Sequence, residues 1–397
     1  MPASTASGPT PGTLGGGPAP GAPAPVAPPL GPPREPAGAG AAAGGRRFRP
    51  GALVVALAVL LVGAAAGAGM FALEQASVTW RPHATRIATG WRIACPHGLV
   101  IHGASISGDH LAWVSGPYTV VFDLTRGRSR LLGIARESTA AAAPAVSEQY
   151  AAWLEETGGA GSPSIWSYRF STSARRRLAS TPGVVWAPAL SGATLVWAGR
   201  PGDSGAGTPL STAITTRDLS RGGDRVVAQG PSVDGPVLMD GMRIGWFVSG
   251  RPPHYDVRDL AGGQLWSVDL AMLASGAWAD LMGIDLSGTT LVWRLQAADG
   301  TGEIFAADLI GGTTQPVASG PGLSGGSIDG DVVVWAQPAV GGTSIMCRRL
   351  SGGSPFVVAT VATGRVTDVL VSGDTVAWID ESGPSGFNGI ETARLAQ

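Results

Sequence analysis

The sequence predicts an all-β protein: a seven-bladed β-propeller of four-stranded antiparallel blades, preceded by one transmembrane helix and a disordered Pro/Gly/Ala-rich tail. Three observations carry this expectation. A phrase made of an apolar strand, a tight turn and a second strand ending in Trp recurs seven times. A third strand follows it each time and, in all but the last repeat, a fourth. Ahead of the array stands one uncharged apolar run, flanked by segments of very different composition.

The chain divides first by composition. Residues 1–45 hold 12 Pro and 11 Gly with almost no large apolar side chains, so they cannot bury enough surface to offset the entropy of ordering. They read as a disordered cytoplasmic tail. Its PxxP spacings, such as Pro25 to Pro28, fit a plain spacer. A basic flank follows at 46–50, carrying Arg46, Arg47 and Arg49, and then no charge occurs until Glu74. Residues 51–73 would rise about 34 Å as a helix, enough to cross a hydrocarbon core of about 30 Å. The arginines on the N-terminal side place the tail inside and the rest outside. A cleaved signal peptide is the competing reading, because Ala66-Gly67-Ala68 resembles a small-residue cleavage site. A juxtamembrane linker, 74–82, leads to the propeller at 83–397.

Composition excludes several classes. Gly 61 and Pro 31 beside only 14% charged residues rule out a long helical protein. Every basic residue is Arg, the net charge is −1, and no basic stripe is visible along the chain, which argues against a nucleic-acid partner. Two cysteines cannot make a disulfide scaffold. Cys347 sits at an apolar third-strand position and reads as a buried free thiol, although an oxidising exterior permits a bond to Cys95.

The repeated phrase ends at Trp113, Trp153, Trp197, Trp246, Trp293, Trp335 and Trp378, with a mean interval of about 44 residues. Ser-Gly or Asp-Gly marks the turn in six of the seven; the second repeat has Glu148 instead. Each phrase has the pattern of a hairpin. Third strands end in motifs such as Phe122-Asp-Leu124 or Arg258-Asp-Leu260, and fourth strands follow, such as RSRLLG, DRVVAQ and SPFVVA. Four short strands per unit, seven times, make a β-propeller. The seventh repeat lacks a fourth strand, and His83–Gly90 has the pattern of one, so that segment is expected to close the ring by removing an open edge.

The phrase isGd..vaW followed by the.i...dL..G turn resembles the TolB-like, WD40-like group of propellers over about residues 84–397. That resemblance implies interaction and assembly roles. Neither the GH…WD signature of true WD40 repeats nor the Asp-box of sialidases is present.

Strand order sorts the loops. The first-to-second and third-to-fourth turns share one face and are nearly constant in length. The second-to-third loops and the crossovers share the other, where length varies, as a binding surface requires. Trp91, Trp186 and Trp278 in crossovers, and Arg251, His254 and Tyr255 in a second-to-third loop, are the candidate binding residues. Some of these Trp side chains could instead plug the channel mouth as core.

Catalytic motifs are sparse. Gly202-Asp-Ser-Gly205 falls in a long loop and Gly322-Leu-Ser324-Gly-Gly326 in a crossover, whereas a nucleophile elbow needs a strand, a strained turn and a helix. Cys95, His97, His102 and His110 match no standard zinc spacing. Asp299, Thr301 and Glu303 could approach a calcium ion in one loop. No cofactor and no metal are expected. Two functions remain: a membrane-tethered extracytoplasmic module binding a protein or glycan of the cell envelope, or a lyase or hydrolase with a dispersed site at the channel mouth. Funnel-facing carboxylates with raised pKa values would favour the second.

Overall fold

The computed structural model describes residues 82–395 apart from 96–98, 135–141, 156–162, 181–185, 201–210, 250–251, 271–276, 298, 363 and 382–387, and only the backbone of 179–180 and 277–282. The tail 1–45, the flank 46–50, the apolar segment 51–73 and all but the last residue of the linker 74–82 lie outside the described residues. Among the described residues no helix is long and apolar enough to cross a membrane.

Seven antiparallel sheets, six of four strands and one of five, form the blades in the order of the repeats. In the first blade Ile101–Ser107, His110–Ser115, Tyr118–Asp123 and Arg128–Ile134 pair in succession. The same succession recurs, and the expected fourth strands appear at Asp224–Gly230 and Phe356–Val361. The connections between second and third strands run from two residues after Ser115 to twelve after Gly199, whereas six of the seven first turns have two residues.

The signature tryptophans explain why the blades hold together. All seven are at most 3% exposed. The buried apolar residues fall into seven clusters, and each contains one signature Trp together with residues of the preceding blade. Trp335 packs with Val292, Ile304 and Ala306, Trp293 with Tyr255 and Val257, and Trp113 with Ala377, Ile379 and Ile390 across the ring's seam. A two-residue strand period puts alternate residues on alternate faces. One Trp per repeat therefore wedges one interblade interface.

The Ser or Asp before each turn glycine does more than shape the turn. Ser191 Oγ accepts a hydrogen bond from Gly241 N of the next blade at 2.9 Å. Asp240 accepts from Gly288 N at 2.5 Å, Ser287 from Gly330 N at 2.9 Å, and Asp329 from Gly373 N at 2.5 Å. Ser372 closes the circle by accepting from Gly108 N at 2.9 Å. Ser147 instead donates to the Gly192 carbonyl at 2.8 Å. At the remaining junction the glycine is replaced by Glu148, whose Cγ packs 3.3 Å from where a Gly108 Cβ would stand. The turn face is thus stitched blade to blade.

Closure differs from the expectation by one strand. The strand that pairs with Asn388–Arg394 is Trp91–Ala94, with Arg92 opposite Glu391, and not the 83–90 segment. His83–Arg86 lies outside it as a fifth strand. Trp91 N donates to Thr392 Oγ1 at 2.8 Å, and the Arg92 guanidinium meets Glu391 at 2.5 Å. The more buried strand of this hairpin lies inside, because Ile93 is buried against Trp113 whereas His83–Arg86 is largely exposed.

Candidate functional site: the central channel

The inner strands of all seven blades line one cavity of about 1110 Å³ on the ring axis. Inner strands carry small residues here because side chains converge toward the axis, and Gly283, Gly325 and Gly326 are extreme cases. A Cβ on Gly325, whose φ is +76°, would stand 3.2 Å from Val369 Cβ, so blades six and seven approach closely there.

The charge on the channel wall is one-sided. Glu148, Asp240, Asp285, Asp329 and Asp368 line it together with His102, and no arginine does so among the described residues. Asp240 and Asp329 are occupied by the turn contacts above. Asp285 and Asp368 lie deeper, on the inner strands Ala277–Ser287 and Arg365–Ser372. Asp285 accepts hydrogen bonds from Ser327 Oγ at 2.8 Å, Ile328 N at 3.0 Å and Leu286 N at 2.8 Å. Burial nevertheless pushes its pKa up to about 6, with the Asp240 charge adding to the shift. Asp368 rises further, to about 7. Burial is the main cause; a Val369 N–H bond opposes it, the Asp285 charge reinforces it and Arg294 offsets part of it. Each carboxyl borders the channel yet is packed round by protein, so its ionised form is poorly solvated. Ser327 Oγ also accepts from Val371 N at 3.3 Å, which ties blades five, six and seven into one polar group.

The candidate residues are placed unevenly. Trp186 stands at the crossover-face mouth of the channel, its Nε1 donating to Asp234 Oδ1 at 2.5 Å and its ring lying over Gly235. Tyr255 is fully buried, and its hydroxyl donates to the Pro236 carbonyl at 3.0 Å. Tyr255 is therefore core under the mouth rather than exposed surface, because alternation along the third strand turns it inward against Trp293. His254 is half-buried beside it, with Nδ1 3.2 Å from the Pro252 carbonyl and Nε2 3.6 Å from Asp256. Trp186 and Tyr255 thus converge on one segment, Asp234–Pro236. Trp91 does not join them. It begins an inserted strand rather than a crossover, donates from Nε1 to Leu124 O at 2.8 Å, and packs on Phe122 at the constant-turn face. Arg251 lies outside the described residues, as does the Trp278 side chain.

The remaining motifs stay apart. Among the described residues no group of three or more His, Cys, Asp or Glu is placed to hold a metal ion. His110 stacks on Phe170 at 4.0 Å, His102 faces the channel, and His97 is outside the described residues. Asp299 accepts from Thr301 N across its own turn. Ser324 donates to the Val366 carbonyl at 2.9 Å and opens a strand, not a helix. Gly202–Gly205 lies outside the described residues. Cys95 and Cys347 are both free and buried, and burial pushes each thiol up to about 11.

Sequence reasoning missed Asp285 and Asp368. A signal for the first existed: three residues before each turn position stand Ser105, Ala145, Ala189, Leu238, Asp285, Ser327 and Leu370, so Asp285 is the one acid in that inward column. Its pairing with Asp368 comes from ring geometry and has no signature in the chain.

No family model matches the chain, and no curated protein does. Solved structures do. The β-propeller domain of the Trilobed protease from Pyrococcus furiosus aligns with a TM-score of 0.54 at 10% identity, over 75% of this chain and 96% of that one. An oligogalacturonate lyase in complex with manganese aligns at 0.54 and 13% identity, over 80% of this chain and 96% of the other. Acylaminoacyl peptidase of Pyrococcus horikoshii aligns at 0.53 and 10%, over 75% and 52%. These likenesses support the seven-bladed propeller fold. The first of them is described as having an open velcro topology, whereas here both ends of the array share the last blade.

Proposed function

We propose that this chain is a membrane-tethered extracytoplasmic propeller that binds a protein or glycan of the cell envelope at the crossover-face mouth of its channel, as the TolB-like resemblance implies. Residues 51–73 are its anchor and residues 1–45 its cytoplasmic tail. The observation that carries this reading is the channel mouth itself: Trp186, packed over the Asp234–Pro236 segment that the buried Tyr255 holds from behind, stands at the end of an open cavity lined by every blade. Stitched turns hold one face, and the other presents connections of varied length.

Photo-crosslinking in intact envelopes tests it. A photoreactive residue replacing Ala187 at the mouth yields an adduct of discrete mass, and one replacing Ile310, which is 70% exposed on a constant turn, yields none. Adducts from Ile310 alone would put the functional surface on the wrong side. The anchor is read separately: the full chain stays in the membrane fraction at high salt, and recovery of a soluble form beginning near Gly69 rejects it.

A second reading has its own support. Asp285 and Asp368, held near neutral pKa values in one channel, are a pair able to exchange protons at physiological pH, as acid–base catalysis requires. Solved propellers from a lyase and from peptidases fit that alternative. The channel's acidic wall disfavours an anionic substrate for it. Turnover of a neutral glycan lost in both D285N and D368N would establish the enzyme reading, and its persistence in both would remove it.

A further inference from the structure

The outer rim of the ring is divided by charge. The fourth strands of blades one to three, Arg128–Ile134, Ala174–Ser180 and Asp224–Gly230, carry six arginines and one acid. Those of blades four to six, Leu265–Asp269, Thr313–Pro321 and Phe356–Val361, carry no arginine and one acid. Along the chain the six are spread over about 100 residues, which is why no stripe shows in the sequence; the ring sets the three strands on consecutive blades. Arg128, Arg176 and Arg225 are exposed, and no partner for their side chains is found among the described residues. Arg130 and Arg175 are held by neighbouring side chains instead. Arg130 donates to Ser173 Oγ at 2.8 Å and lies 5.3 Å from the Tyr168 ring centroid. Arg175 lies 4.1 Å from the Trp166 ring and pairs with Glu155.

Protection of open sheet edges does not explain this arc. Charged side chains do blunt edges against pairing, but the edges of blades four to six are equally open and carry no arginine, while both arcs expose large apolar side chains, Ile134 and Val226 on one and Leu265, Phe356 and Val357 on the other. A peptide partner also fits poorly. It would gain main-chain hydrogen bonds by adding a strand to an uncharged edge, and those edges lie on the opposite arc. A bilayer is flat, whereas the fourth strands of three successive blades radiate from the ring axis.

We propose that the arginine arc of blades one to three binds a linear anionic polysaccharide, bent around the rim, with guanidinium forks on its acidic groups. This goes beyond the proposed function: the arc is a second surface, independent of the channel mouth and of the anchor.

Fluorescence anisotropy of labelled polygalacturonate with the full chain in detergent tests it. Binding is expected to fall steeply as salt rises from 50 to 500 mM. R128Q/R176Q/R225Q loses at least tenfold in affinity, while T313E/T314E/T360E, an equal charge change on the opposite arc, changes it less than twofold. Equal losses in the two variants overturn the proposal, because net charge alone would then be acting. Equal affinity for polyglutamate of the same length, or affinity unaffected by salt in the unaltered chain, overturns it too. Circular dichroism establishes that each variant is folded. Loss of crosslinking at Ala187 would leave this result standing, so failure of the mouth and failure of the arc are told apart.

Discussion

The two faces of the ring are built from the same strands and behave as opposites. On the turn face, Ser or Asp side chains reach the backbone of the next blade at five of seven junctions as acceptors and at a sixth as a donor. On the crossover face, the connections differ in length from two residues to twelve, and Trp186 stands at the mouth of the channel. A repeat can therefore specify rigidity and variation together: the residues that stitch are two positions of the phrase, and the residues that recognise lie outside it. Turn residues in a repeat are thus structural across repeats, not only within one.

The largest effect on this arrangement comes from the seam. Deleting 83–94 removes both strands inserted in the last blade, exposes the edge of Asn388–Arg394 and leaves Trp113 without Ile93. The expected product is aggregated or lacks a cooperative melt, whereas deleting 1–45 leaves the melting temperature unchanged. Deleting 83–86 alone separates the two strands of the hairpin: it lowers the melting temperature modestly, because the pairing of Trp91–Ala94 survives. Next in size are the wedges. W293A or W335A costs about 3–5 kcal/mol in chemical denaturation through lost packing and the cavity left behind, while W186A at the mouth costs far less and acts on binding instead.

The carboxylate pair predicts a pH dependence. Asp285 and Asp368 have folded-state pKa values raised above the ordinary carboxylate value, to about 6 and about 7. The folded ring then holds more protons than the unfolded chain between about pH 4 and pH 7, so stability falls as pH rises through that window. Thermal melts between pH 5 and 8 should show that decline, and D368N should flatten it. A decline of the same slope in D368N would mean that Asp368 is ionised in the fold at all these pH values. Smallest are the stitches: S287A, which removes the acceptor for Gly330 N, costs about 1 kcal/mol, and S191A does the same for Gly241 N. Their sum over several junctions tests whether the turn face acts as a unit.

How much of this was legible follows from what is local. The wedge tryptophans, the turns and the blade count recur in phase and were readable from the phrase. The closing strand was misplaced because His83–Gly90 has the pattern of a fourth strand, and only the pairing of Arg92 with Glu391 shows that the next segment, Trp91–Ala94, is the inner one. Trp91 then moved to the turn face with its strand, and Tyr255 into the core by alternation. Asp285 with Asp368 and the arginine arc required the ring, since each joins residues from different blades.

The seam also has a consequence in time. Trp91 N and Thr392 Oγ1, bonded across 301 positions, are synthesised at opposite ends of the array. On a ribosome adding about 5–20 residues per second, the N-terminal pair of strands waits at least about 15 s for its partner. During that wait each new blade can dock on its predecessor, because every wedge tryptophan after Trp113 faces the blade already made. The first blade alone lacks a predecessor, and Trp113 is the wedge left uncovered until the last blade arrives. Nascent chains arrested before residue 388 should therefore present that one tryptophan to quenchers and chaperones while the others are already shielded.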